Sequence, residues 1–578
     1  MSATDHAEPE PGGGTAGWVE RIGRLPANPW FAYLALLAVQ VRGLWSVWDR
    51  DIAAGDTSSY FRSSDLWTDD LMVNFAWSPL YTAFLGTMQW VTDDLVTTLY
   101  LHRVLIVVVL AVLVLALMRR LLPAWAALGC ACWWASLPII YDSVYEVHLF
   151  AALPLVGAAL LLTGDPTLKR RGAAIGLLVA SAVVVRQEAA FVAVILLAAM
   201  AVAEFRARRA GRGTSPRALA VAFGLPLLVA VALIGAAFER SAVKGEMLSK
   251  TFEAKHTRNV CQVYTTNLLQ RKPDAFAGDP FTQCQELMPK VFDEPEPSLS
   301  EAWRQNPSAM AAFTAWNVWL LPQGLELALF NAAAGDDNPD YVRADLNQWW
   351  AGVLAVGLLA VLLAGGIALR RDLDHWRPML RRQRWAWAAL AATAIVVLAV
   401  IILTQRPRPA YMFGLTAGLI ALGGLAAAVL ARRFGIERWA AASSAVLPLI
   451  LLVALPFRYG DGPTPVRDAY ERLQPAISQA GGEPVLVAPA YSTNLCHYLL
   501  PNESCEGKVL PADVPTEETG RRFAEALEEE GATIFYADER TSRNVVVAPF
   551  LARPRGWTEI ESGTTPAGDW AVLTRDRG

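Results

Sequence analysis

LYLHRVLIVVVLAVLVLALM, residues 99–118, runs straight into Arg119-Arg120. At 1.5 Å per residue, an apolar run of this length crosses about 30 Å of hydrocarbon as a helix. Similar runs recur from about residue 30 to residue 456. The 578-residue chain is 54% apolar and 18% charged, with a mean hydropathy of +0.31. A soluble chain of this size carries roughly a quarter charged residues and no such runs. The composition therefore excludes an ordinary soluble enzyme. It predicts an α-helical polytopic membrane protein with spans near 31–48, 99–118, 124–141, 148–163, 172–185, 189–204, 217–238, 348–369, 385–404, 411–431 and 439–456.

Cations set the expected orientation. Basic clusters stand at Arg119-Arg120, Lys169-Arg170-Arg171, Arg206 to Arg217, Arg370 to Arg384, and Arg432-Arg433 with Arg438. The positive-inside rule places all of them in the cytoplasm. With the N-terminus inside and about eleven spans, the chain after residue 457 lies outside. Residues 1–29 are polar and rich in Gly and Pro, which predicts a disordered cytoplasmic tail and no cleavable signal peptide. Tryptophans such as Trp45, Trp48, Trp316, Trp319, Trp349, Trp350, Trp385 and Trp439 fall at expected span ends, where an amphipathic ring suits the headgroup layer.

Three exterior segments follow from this topology. In 49–98, Ser78-Pro79 is a helix-start signal with Ser78 as the capping hydroxyl, and the next residues carry apolar groups at helical spacing. That helix is expected to lie on or dip into the membrane face. Asp65, Asp69 and Asp70 read as a solvated acidic stretch. The segment 239–347 reads as a long loop. In 457–578, EPVLVAPA and GATIFYAD read as short buried strands, with EETGRRFAEALEEE as an amphipathic helix between them and WTEIES and DWAVLTRD as further strands. This predicts a small α/β domain with a parallel sheet and a binding or scaffolding role, because no Gly-rich phosphate loop accompanies it.

Six cysteines divide by location. Cys130 and Cys132 lie within a span and read as packing residues. Cys261 with Cys284, and Cys496 with Cys505, fall in exterior segments, where an oxidising compartment favours two disulfides.

Charges near a membrane are costly and usually mark a working site. Here they gather at span ends on one expected face: Asp56 in GDTSSYF, Asp142, Glu146 and His148 in YDSVYEVHLF, Arg186 and Glu188 in VVVRQEAAF, and Arg406 and Arg408 in TQRPRPAYMF. Arginine's planar fork clamps phosphate and a carboxylate takes a hydroxyl proton, so the set suits a reaction on a lipid-linked anion. A transporter more often places its charges near the bilayer midplane.

The order of these motifs resembles the GT-C superfamily of membrane glycosyltransferases, especially the protein O-mannosyltransferase and aminoarabinose-transferase type. The features are the short first span, an acidic loop with GD-x-x-x-Y, the SPLY helix, an R-x-E element between two short spans, and a late RPxPxY segment. The resemblance covers residues 30–431, within a transmembrane domain of 30–456, and leaves 457–578 aside. It implies transfer of a sugar from a polyprenyl-phosphate donor to an acceptor hydroxyl of a glycan, lipid or protein outside the cytoplasm, at a plasma (inner) membrane. Asp56 is then the general base, and Arg406 and Arg408 are ligands of the donor phosphate. Tyr411 and Tyr60 line the site or belong to the aromatic belt. Arg186 and Glu188 brace the cavity, and Glu146 and His148 contact substrate. A single inverting displacement needs one carboxylate, because arginine stabilises the leaving phosphate. No cofactor is implied, although Asp49, Asp51 and Asp56 together suit a weakly held divalent metal. Gly55-Asp56 replaces the adjacent acidic pair of the mannosyltransferases, so sugar and acceptor stay open. Two alternatives remain: a lipid-diphosphate transferase of the O-antigen-ligase or polymerase kind, using His256 and Arg258, and a lipid or polysaccharide transporter.

Overall fold

The computed structural model describes residues 15–46, 56–92, 95–141, 146–243, 246–276, 280–281, 283–339, 345–454, 465–480, 484–488, 496–499, 507–508, 519–544, 546–565 and 568–576. The protein is an α-helical membrane fold with a small C-terminal sheet. Six helices among the described residues are long and apolar enough to span a bilayer: Thr97–Leu121, Glu188–Arg209, Pro216–Glu239, Trp349–Arg371, Arg384–Leu403 and Pro409–Arg433. The other expected spans fall on shorter or less apolar helices, namely Pro29–Ser46, Ala124–Ala135, Glu146–Leu161, Leu168–Val184 and Glu437–Ala454. The expected span at 124–141 is cut short. Its helix ends at Ala135, and Pro138 opens a 3-10 turn over Pro138–Tyr141.

The chain forms two compact units. One comprises Met1–Trp45, Leu105–Ala236 and Gly245–Phe457. Within it, the helix Phe413–Arg433 is buried along most of its length. It packs against Trp349–Arg371, Arg384–Leu403, Ala124–Ala135 and Glu146–Leu161. Its sequence is dense in Gly and Ala, which lets backbones approach closely where lipid supplies no hydrophobic drive. A Cβ on Gly424 would stand 2.4 Å from the Cys130 sulfur, and one on Gly414 would stand 2.6 Å from Cγ2 of Thr393. Cys130 and Cys132 are buried free thiols. A second close approach joins Leu168–Val184 to Pro216–Glu239. Gly172 faces the Ala222 carbonyl and Gly176 faces Pro226, four residues apart on each helix.

The segment read as a long loop, 239–347, is largely helical. It holds Glu246–Arg271, Leu299–Gln305 and the 24-residue Pro307–Phe330. Ser298 and Glu301 close a capping box on the second of these. Polar residues in these helices hid them from a hydropathy reading. Cys261 and Cys284 are joined in a disulfide with Cα atoms 5.6 Å apart, beside the buried Tyr264, Phe292 and Phe313. The Cys496 side chain and all of Cys505 lie outside the described residues.

The other unit comprises Ser46–Val104, Ala237–Lys244 and Arg458–Gly578. The segment between the first two expected spans and the C-terminal domain thus belong to one body. Phe61, Leu85, Leu95 and Leu99 share a core with Leu473, Tyr498 and Tyr536, and the Phe61 and Tyr498 rings lie 5.3 Å apart. Helix Asp56–Asp70 packs on Pro79–Gln89, where Gly86 lets Ser64's carbonyl approach within 2.6 Å of a would-be Cβ. The latter helix therefore buries Tyr81, Thr82 and Leu85 against protein. Ser78 does not cap it through its hydroxyl. Its backbone is left-handed, with φ of 54°, and its carbonyl accepts from Tyr81 and Thr82.

Five strands form the C-terminal sheet: β1 Leu486–Val487, β2 Gly507–Lys508, β3 Ile534–Ala537, β4 Trp557–Thr565 and β5 Gly568–Arg575. Their order is β2-β1-β3-β5-β4. The sheet is mixed, which corrects the all-parallel expectation: β1 pairs in parallel with β2 and β3, while β5 runs antiparallel to β3 and β4. A short connection makes β4–β5 a hairpin, which only antiparallel strands permit.

Asp65 is buried at 5% exposure, and its Oδ1 accepts from Gln89 Nε2 at 3.0 Å. The solvated reading was wrong because helix Pro79–Gln89 covers that face. Burial pushes the Asp65 carboxyl up from 3.8 to about 7, with Gln89 opposing the rise.

Two predictions follow from packing and burial. Gly172→Leu drives a side chain into the Ala222 carbonyl, a clash of the kind that typically costs about 1–3 kcal/mol or more. Its thermal midpoint in detergent should fall clearly, whereas Gly129→Ala, with open space around its Cβ, should leave the midpoint unchanged. For Asp65, the folded chain binds more protons than the unfolded one between about pH 4 and pH 7. Stability should therefore decline as pH rises through that window, by at most about 4 kcal/mol, and level off above it. Asp65→Asn should flatten this slope and be the more stable protein at pH 8. An unchanged slope in the variant would exclude Asp65 as its source.

Candidate functional site

The first unit gathers most of the charged candidates at helix breaks. Helix Leu168–Val184 ends with Val185 off the helical path, while the Arg186 N–H still reaches the Ser181 carbonyl at 2.9 Å. Glu188 opens the next helix, where a first-turn acid suits the positive dipole end. The two residues meet across this break. Arg186 donates through Nε and a terminal nitrogen to Glu188, the shortest contact being 2.7 Å.

The RPRP turn forms a second break. Helix Arg384–Leu403 ends as Gln405 N–H bonds back to Val400, and Pro407 and Pro409 bar any continuation. Arg408, before a proline, takes the extended backbone that position imposes, at φ −69° and ψ 135°. Pro409–Met412 then leads into the central helix.

Helix Pro307–Phe330 backs this turn. The fully buried Asn317 donates to the carbonyls of Gln405 at 2.6 Å and Ile402 at 3.1 Å. Asn317 Oδ1 accepts in turn from buried Asn267, whose own oxygen accepts from Arg271. Gly324 lets the Pro407 carbonyl come within 2.2 Å of a would-be Cβ. Satisfied buried amides of this kind fix one geometry, because any shift leaves polar groups without partners.

Tyr411 is where the breaks converge. The Arg186 and Arg408 guanidinium carbons lie 5.6 and 5.4 Å from its ring centre, and the His148 ring stands edge-on at 5.0 Å. His148, Ser181, Arg186, Glu188 and Tyr411 line one pocket, with Leu155 and Val397 among its apolar walls. Nδ1 of His148 has no hydrogen-bond partner among the described residues. Two guanidinium groups stand against one phenol ring, and one of them also pairs with Glu188; guanidinium forks of this kind suit phosphate.

The remaining candidates separate. Arg406 is 2% exposed and is not in the pocket lining; Arg408 touches the set through Tyr411. Glu146 is buried at the start of the helix that carries His148. In the other unit, Asp56 opens helix Asp56–Asp70, but its side chain lies outside the described residues, as do Asp49, Asp51 and Asp142. Tyr60, one turn further on, is buried edge-on to Trp77 and Tyr81, at 5.1 and 5.2 Å. Arg258 pairs with Glu296 at 2.5 Å. No cluster of three metal-ligating side chains occurs among the described residues.

Two residues, His102 and Arg103, went unnoticed in the sequence. His102 Nδ1 meets the Leu99 carbonyl at 2.6 Å, which makes that nitrogen the donor and leaves Nε2 to accept from Tyr81 Oη at 2.9 Å. Arg103 is 1% exposed within an apolar helix. The signal was the HR pair inside LYLHRVLI, since charge within a span rarely occurs without a role.

By sequence the chain matches no family profile and no curated protein. Among solved structures it is similar to the oligosaccharyltransferase of Archaeoglobus fulgidus in the apo form, with 13% identity and a TM-score of 0.46. That likeness covers 94% of this chain and 75% of the other. It is also similar to ArnT from Cupriavidus metallidurans bound to undecaprenyl phosphate, with 12% identity and a TM-score of 0.39 over 97% of this chain and 98% of the other.

Proposed function

We propose that this protein transfers a glycosyl group from a polyprenyl-phosphate donor to an acceptor hydroxyl at the exterior face of a plasma (inner) membrane. The observation that carries this reading is the convergence of Arg186 and Arg408 on Tyr411 at helix ends, beside an apolar-walled pocket. That combination suits a ligand with an anionic head and a hydrocarbon tail. The order of the sequence motifs, from GDTSSYF to RPRPAY, supports the same class.

The acceptor oxygen attacks the anomeric carbon from the side opposite the phosphate, so configuration inverts. Its proton passes to the Asp56 carboxylate as the new bond forms. The bond from the anomeric carbon to the phosphate oxygen breaks, and the electron pair leaves with polyprenyl phosphate. Arg408 and Arg186 stabilise that growing charge, so no strong general acid is required. Glu188 holds Arg186 in place. The N-terminus and basic clusters face the cytoplasm, and the C-terminal domain lies outside.

Turnover with a panel of polyprenyl-phosphate sugars, read as release of the free lipid phosphate, tests the reading. Asp56→Asn keeps shape and removes basicity, so turnover should fall about a hundredfold or more with donor binding near wild type. Arg408→Ala should weaken donor binding first. If Asp56→Asn keeps its turnover and Asp49→Asn or Asp51→Asn abolishes it, the base is a neighbour and the reaction stands. If none of these acids matters, the transferase reading fails.

A further inference from the structure

We propose that the arginine-bearing ends of two helices form a second lipid site, one that binds the phosphate and acyl chains of an anionic phospholipid. A cavity of about 1250 Å³, counting the part open to the surroundings, lies among Pro29–Ser46, Leu95–Leu121, Glu146–Leu161 and Leu168–Val184. Arg119, Arg120 and Arg170 line it, and no Asp or Glu does. Leu113, Leu160, Leu161 and Leu177 supply apolar wall. A small soluble anion has no use for that wall, and a neutral lipid has no use for three guanidinium groups. A phospholipid with a net negative head satisfies both.

The arginines are held in place. Arg119 donates to the carbonyls of Pro26 at 2.8 Å and Ala27 at 3.0 Å, and Arg170 donates to that of Leu160 at 3.3 Å. Each guanidinium has five N–H donors, so these bonds fix the fork and leave donors for phosphate oxygens. Arg120 is exposed and pairs with no carboxylate among the described residues. The positive end of helix Leu168–Val184 adds to the same field.

This site is separate from the Tyr411 pocket. His148 and Leu160 lie twelve residues apart on one helix, roughly 18 Å along its axis. The charged parts of the two pockets therefore lie toward opposite ends of that helix, while their apolar linings approach within two residues at Leu155 and Gly157; the proposal does not depend on the glycosyl-transfer reading.

Full-length protein in detergent, titrated with short-chain phosphatidylglycerol, phosphatidylcholine or inorganic phosphate, gives the test. Phosphatidylglycerol should raise the thermal midpoint by about 5 °C at saturation, with little effect from the other two. The rise should be largely lost in Arg120→Gln/Arg170→Gln and kept in Arg120→Lys and in the exposed control Arg212→Gln. A phosphatidylglycerol bearing a photoreactive acyl chain should label peptides containing Leu113, Leu160 or Leu177. Equal stabilisation by phosphatidylcholine or by inorganic phosphate would overturn the proposal. So would a full response in the double variant, or labelling elsewhere only.

Discussion

Helix Phe413–Arg433 sets what its unit can build, because bilayer-embedded helices gain nothing hydrophobic by leaving lipid for one another. Association has to come from close backbone contact, and this helix supplies it with Gly414, Gly418, Gly423, Gly424 and a run of alanines. Six helices pack on it. Gly365 on a neighbour makes the relation mutual, since a Cβ there would stand 2.5 Å from that of Ala426. The helix begins where the RPRP turn ends, so the packing that holds the bundle also positions Arg408 and Tyr411.

That turn is held from the other side by amides rather than by hydrocarbon. Asn317 binds the carbonyls of Ile402 and Gln405 that lead into it, Asn267 binds Asn317, and Arg271 binds Asn267. A proline-rich turn cannot satisfy its carbonyls by continuing a helix, so outside donors must do it. The disulfide-linked region that carries Asn267 and Arg271 thereby acts on the turn's geometry. A long segment read from hydropathy as a loop is a structural support for the turn that carries Arg408.

The sequence made the helices legible because apolar length is nearly a direct measurement of a span. It located the breaks at Arg186 and at RPRP for a similar reason: a charge or a proline pair interrupts the run. What stayed hidden depends on tertiary contact. Asp65 looked solvated until helix Pro79–Gln89 covered it. Ser78 met every rule for a cap, yet took a left-handed backbone. The mixed sheet escaped because β-strands of two to nine residues show burial but not direction. The shared core of Phe61, Leu85, Tyr498 and Tyr536 joins residues more than four hundred positions apart, a relation no local pattern encodes.

Site legibility divides along the same line. Residue types were readable, but grouping was not. Arg406 and Arg408 are two residues apart and looked equivalent, yet one is buried and the other meets the Tyr411 ring. Arg186 and Glu188 are also two residues apart, and there the spacing worked in the opposite sense. The break between their helices turns both side chains together, where a continuous helix would point them about 200° apart. Broken helices thus do two things in this unit. They end the hydrocarbon run where charge can be tolerated, and they bring side chains into a pairing that an unbroken helix forbids. At the opposite end of Glu146–Leu161 the helices terminate without such pairing, and the arginines turn to backbone carbonyls instead. One end holds arginine against carboxylate and phenol, while the other holds arginine against carbonyls that carry no net charge.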